Sequence, residues 1–150
     1  MHAIGGIIRH RPRSAAALAF GVSTAGLTHF AWYPDARMSG MVPALTLGAG
    51  LAHAVAGAIT GPRLVNVTRT ASHAALLGAA TSLLALAFFA PMMAVYVSAT
   101  DARPPSALGY VALTLFTGLF AFLGAGWALL LLSVGVGWGL YRLAASAAAA

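Results

Sequence analysis

Residues Ser106–Tyr141 read SALGYVALTLFTGLFAFLGAGWALLLLSVGVGWGLY, thirty-six positions without one formally charged side chain. As a single helix rising ~1.5 Å per residue, the stretch reaches roughly 54 Å, well beyond a hydrocarbon core of ~30 Å. A water-soluble domain of this size does not hold such a run. The chain therefore reads as an integral membrane protein.

Working outward, three more apolar segments precede it. One runs from about 14 to 33, one from about 41 to 60, and one from about 71 to 99. Each is long enough to cross a bilayer as a helix, whereas an open sheet would leave its edge groups unsatisfied in lipid. The expected fold is all-α: a polytopic four-transmembrane-helix bundle with short loops, forming a single integral membrane domain over 1–150. Local signals set the expected ends. Ser14 and Ser106 read as N-caps, Gly61-Pro62 as a stop, and Pro91 as a kink inside the third segment. The basic start, with Arg9, Arg11 and Arg13, resembles a targeting signal in composition. The apolar run after it exceeds a signal core, so a retained first helix is expected.

Composition sets the limits on function. The 150 residues are 61% hydrophobic and 7% charged, which excludes a soluble enzyme and a disordered tail alike. Cysteine is absent, and with it any disulfide framework or thiolate metal site. All eight basic residues are arginine, opposed by two aspartates, for a net charge of +6. In a membrane chain this charge reads as topology and lipid contact, not as nucleic-acid binding. Six arginines (Arg9, Arg11, Arg13, Arg63, Arg69 and Arg142) fall on one side of the four segments, and only Arg37 and Arg103 on the other. The positive-inside rule then places both termini on the cytoplasmic or matrix side, in a bacterial cytoplasmic membrane or a mitochondrial inner membrane. Trp32, Tyr33, Tyr96 and Tyr110 near the outer ends, and Trp138 and Tyr141 near the inner end, fit interfacial belts. Asn66-Val67-Thr68 matches a glycosylation pattern but lies on the inner side, where it carries no such role. Asp-Ala-Arg recurs at 35–37 and 101–103 without alignable flanks; reciprocal pairing of those charges is worth only ~0–1 kcal/mol per pair.

Ionisable residues within the spans are costly and often functional, and here they are His29, His53 and His73. His53 rises from a helical surface of Ala49, Gly50, Ala56 and Gly57, where a flat ligand or a close neighbouring helix fits. Its functional readings are an axial ligand to a haem or chlorin, or a hydrogen bond to a quinone. Its bland reading, a neutral histidine bonded to a backbone carbonyl or a hydroxyl of the next helix, is the commoner situation. Counted from the inner end at 1.5 Å per residue, His53 lies ~10 Å deep, His73 ~3 Å and His29 ~22 Å. Such unequal depths disfavour a two-histidine haem, and His53 with His73 is the least unequal pair. Arg13, Arg63, Arg69 and Arg142 are expected to meet anionic lipid such as cardiolipin.

No carboxylate, lysine or arginine lies within a span, and no acid–base pair, activated nucleophile, phosphate loop or HExxH helix is present. An enzyme is not expected. Gly48, Ala52, Gly118, Ala121 and Ala125 read as helix-packing positions. In the last segment, Thr114, Thr117, Gly118, Ala121, Ala125 and Ala128 form a small stripe, continued loosely by Gly135 and Gly139. Phe116, Leu119, Phe120, Leu123, Trp127 and Leu130 form a bulky stripe opposite. The small stripe is expected to receive the helix that carries His53, and the bulky one lipid or a partner. These features favour an accessory subunit of a larger inner-membrane energy-transducing complex, respiratory or photosynthetic. The alternatives are a small homo-oligomeric transporter or channel, and a haem, pigment or quinone carrier centred on His53.

Overall fold

The computed structural model describes the backbone of residues 2–32, 42–68, 70–100, 105–146 and 148. It is 94% helix, with no strand among the described residues. The elements are α1 (His2–His10), α2 (Pro12–Trp32), α3 (Val42–Asn66), α4 (Ala71–Thr100), α5 (Ala107–Ala121), a π-helical turn (Phe122–Gly126) and α6 (Trp127–Ser146). Among the described residues, three helices are long and apolar enough to cross a membrane: α3, α4 and the continuous 107–146 rod. They mark an integral membrane protein. The first expected span is present as α2, 21 residues long, but is not among the three. Ser23, Thr24, Thr28 and His29 dilute its apolar run.

Several boundaries differ from the sequence reading, each for a local reason. The N-terminal stretch is not a simple tail. It forms α1, whose Ile8 is buried with Ala16, Phe20, Leu64, Ala74, Leu140 and Ala144. Pro12 is the first residue of α2, where its missing N–H is no loss and its fixed φ suits the helix. Arg11, disfavoured from α geometry by the proline after it, joins the two helices. The ladder nonetheless passes through it, from Arg11 N to Ile7 O (2.9 Å) and Ala15 N to Arg11 O (3.0 Å). Ser14 therefore sits inside the first turn and is not the N-cap.

At the end of α3, Gly61-Pro62 does not stop the helix, which continues to Asn66 with Pro62 inside it. Gly61 lies directly against α2: a Cβ there would come within 2.6 Å of Pro12 O and 2.7 Å of the Ala16 Cβ. Tertiary packing overrides the local breaker signal. The Arg63 carbonyl ends the helix by accepting from Val67 N, Thr68 N and Thr68 Oγ1 at 3.0–3.1 Å. Ser106, in contrast, caps α5 as its sequence implies, its hydroxyl accepting from Gly109 N at 3.2 Å. The Asp-Ala-Arg tripeptides, Trp32's side chain, Tyr33 and Arg69 lie outside the described residues.

Small side chains decide which helices touch, since apolar burial alone does not drive helices together in lipid. α2 and α3 pack antiparallel through Gly21, Gly50, Gly57 and Gly61; a Cβ on Gly57 would lie 2.8 Å from Ala16 O. α3 meets α4 through Ala52, Ala56 and Ala85. Gly48 lies beneath Phe89, Met92 and Met93 of α4. Thr60 and Thr81 hydroxyls stand 2.8 Å apart between these helices, and each also faces its own i−4 carbonyl, Ala56 O at 3.0 Å and Leu77 O at 2.7 Å. Two hydroxyl protons serve three contacts, so one contact is always undonated.

The last rod behaves as two halves. α6 seats Ser133, Gly137, Leu140 and Ala144 against the bundle, with Gly137 above Ala74 O and Gly78 against the Ser133 carbonyl. α5 buries no residue; its Gly118 merely reaches contact with the Ala90 Cβ, at 3.4 Å. Gly135 and Gly139, expected to continue the small stripe, have nothing near them. The π turn explains the change of face. In an unbroken helix Ser133 and Gly137 would lie ~60° and ~100° around from Gly118, and one extra residue rotates them back by ~100°.

Candidate functional site

His53 sits near the middle of α3, and the extension of that helix to Asn66 moves it from ~10 Å to ~20 Å from the inner end. It is 4% exposed. Its Nδ1 lies 3.1 Å from Ala49 O, one turn earlier, and its Nε2 lies 3.5 Å from Ser82 Oγ of α4. A carbonyl only accepts, so the Ala49 contact puts the ring proton on Nδ1. In a neutral ring, Nε2 is then an acceptor and Ser82 the donor toward it. At 3.5 Å that second bond stands at the outer limit of hydrogen-bond geometry and leaves the Nε2 lone pair weakly used. The bland expectation for His53 is a bond to a backbone carbonyl or a hydroxyl of the next helix; the short bond here is to a carbonyl of its own helix, and the contact to the next helix, through Ser82, is long.

Beside this histidine is a cavity of about 400 Å³ among α2, α3, α4 and the α5–π-turn–α6 rod. The polar residues of its lining are Thr28, His53, Ser82 and Thr117; the rest is aliphatic and aromatic, including Phe89, Phe116 and Phe120. The Thr28 side chain is 7% exposed and its hydroxyl has no hydrogen-bond partner. No lining residue is formally charged. Leu83, Phe116 and Phe120, at the rim, are each more than half exposed. They lie on spanning-length apolar helices, so the cavity opens on the apolar side of the bundle.

The small stripe of the last rod does face the His53 helix, but across this cavity instead of in contact with it. Thr117, Ala121 and Ala125 line the hollow, and Gly118 rests on α4. The extra residue of the π turn is what lets α6 pack while α5 stands off. Of the three histidines singled out by sequence, only His53 lines the cavity. His73 is exposed at the start of α4, its backbone N donating to Thr70 Oγ1 at 3.3 Å. The structure does not bring His53 and His73 together. His29 is exposed and packs edge-on to Phe30, with ring centroids 5.9 Å apart. No group of three or more metal-ligating side chains occurs among the described residues.

Sequence reading passes over Thr28 and Ser82. Their signal is faint: Thr24 and Thr28 stand one helical turn apart on α2, and both are buried hydroxyls without a partner. Such residues in a span usually bond their own i−4 carbonyl, so two in a row facing inward is a mark worth reading.

A second feature is the basic end. Gly61 against Pro12, and Gly137 against Ala74, bring the start of α2 and the ends of α3 and α6 to one side of the bundle. Arg9, Arg11, Arg13, Arg63 and Arg142 are all exposed there. The Arg142 guanidinium lies 4.7 Å from the centroid of the Trp138 ring, a cation–π contact at the foot of α6. Arg9, His10 and Asn66 border a shallow polar cleft at the same end. No family model, curated protein or solved structure matches this chain.

Proposed function

We propose that this protein is a non-catalytic accessory subunit of a larger energy-transducing complex in a bacterial cytoplasmic or mitochondrial inner membrane, acting by helix packing and lipid contact. In this reading α2 crosses the bilayer with the other three, giving four spans with both termini on the arginine-rich inner side. Its modest hydropathy is tolerable because one face, carrying Ala16, Phe20 and Thr24, is buried within the bundle.

The observation that carries the proposal is the uneven burial of the bundle. Within the most apolar window of each span, 44% of α3 and 33% of α4 are buried, against 6% of the 107–146 rod. α5 packs along α4 but stands off α3 over a hollow, showing Leu108, Val111, Leu115 and Leu119 outward. A helix held this loosely by its own chain is well suited to being held by a neighbour's. The basic end, with amphipathic α1 laid along it, supplies the interfacial anchor and the contacts for anionic lipid such as cardiolipin. A photo-crosslinking residue at Leu119 tests the docking face. The reading expects a discrete crosslinked protein band; lipid adducts alone would remove it.

A further inference from the structure

The standing-off of α5 creates the cavity beside His53, and the chemistry of that cavity carries an inference beyond packing. Three features converge on it. The Nε2 lone pair of a nine-tenths-buried histidine is left with one long contact to Ser82 at 3.5 Å. A second buried hydroxyl, Thr28, has no partner at all. Unsatisfied polar groups in an apolar interior are costly, and a guest that satisfies them recovers that cost. The third feature is the aromatic wall of Phe89, Phe116 and Phe120, with a volume of about 400 Å³. That lies within the ~300–1,000 Å³ typical of small-molecule sites.

The geometry points to a binding site for a lipid-soluble quinol. The ring hydroxyl donates to His53 Nε2, the acceptor fixed by the Nδ1–Ala49 bond. A second ring oxygen accepts from the Thr28 hydroxyl once a χ1 rotation turns that closed-off oxygen into the cavity its side chain lines. The ring packs against the phenylalanines, and the apolar tail leaves between Leu83 and Phe116 into the hydrocarbon. A simple acyl chain uses neither polar group. A haem fits poorly: its carboxylates would enter a lining with no cation to pair them. No electron transfer is part of the proposal, and it does not depend on a partner chain, so it stands or falls separately from the accessory-subunit reading.

The test uses the full chain in nanodiscs and tritiated decyl-benzoquinol, with the dimethyl ether of the same quinol as the control that cannot donate. Saturable binding at about one quinol per chain is expected, weaker by about tenfold for the ether and for His53→Leu, because each deletes the same buried bond. Thr28→Val, nearly isosteric, is expected to weaken binding severalfold without altering helicity. Absence of saturable binding overturns the assignment. So does equal binding of quinol and ether, or unchanged quinol affinity in a folded Thr28→Val chain. The ether and Thr28→Val arms keep the test decisive should His53→Leu fail to fold. A haem-type visible absorption band on the purified protein would likewise overturn it.

Discussion

Gly78→Ala is the sharpest perturbation of the bundle. A Cβ at Gly78 would run into the Ser133 carbonyl and come within 3.0 Å of both Ser133 C and Val134 Cα, all backbone atoms that no rotamer change can move. Carbon pairs prefer ~3.5–4.0 Å, so α4 and α6 must part by roughly 0.5–1 Å, which forfeits a quarter to a half of each contact along the crossing. Overpacking of this kind costs ~1–3 kcal/mol. Replacing a helical glycine with alanine returns ~0.5–1 kcal/mol through backbone entropy, leaving a net loss of about 0–2.5 kcal/mol. Gly135→Ala isolates that second effect, because nothing lies within 4 Å of its Cβ. The assay is loss of helical signal on titration of mild-detergent micelles with a denaturing detergent. Gly135→Ala should unfold at or above the wild-type midpoint and Gly78→Ala below it. Equal midpoints, or the reverse order, would refute the close α4–α6 crossing.

Two more expectations concern orientation and lipid. The chain has no cysteine, so single introduced thiols report cleanly on sidedness: in right-side-out vesicles an impermeant maleimide should label Ser39→Cys and Ala107→Cys directly, but Ser14→Cys and Ser146→Cys only after permeabilisation. Labelling of Ser14→Cys and Ser39→Cys from the same side would mean that α2 does not cross. Replacing Arg9, Arg11 and Arg13 together with glutamine removes three charges worth ~1 kcal/mol each near an anionic surface. Copurified anionic phospholipid should fall while zwitterionic lipid is unchanged; an unaltered lipid profile would detach these arginines from lipid binding.

The membrane class and the helical segments are legible in the sequence because lipid imposes one strong demand, a long uncharged run with its backbone bonded internally. Ser106 is legible for a similar reason: a hydroxyl three residues before an available N–H is a local signal, and local signals survive folding. What does not show is what depends on neighbours. Gly61-Pro62 spells a stop, but the stop is overridden because Gly61 fits against Pro12 and Ala16. The nine residues of α1 include a glycine pair and look like a tail; burial of Ile8 among α2, α3, α4 and α6 residues supports the helix. The π turn over Phe122–Gly126 has no compositional signature, yet its one extra residue rotates every packing position after it. For that reason Gly135 and Gly139, which simple helical spacing sets ~100° and ~60° to one side of Gly118, are turned nearly opposite to it and meet nothing, while Gly118 touches α4. His53 is visible as a histidine among small residues. The cavity beside it is not, since it exists only because two halves of one helix pack differently.

The accessory-subunit claim is tested most directly by the native size of the protein in its own membrane. Extracted in mild detergent at native abundance and run on a blue-native gel, the 15.1 kDa chain should comigrate with a much larger assembly and carry other membrane subunits with it. Migration as a lone protomer, or as a homo-oligomer free of other proteins, would contradict that claim.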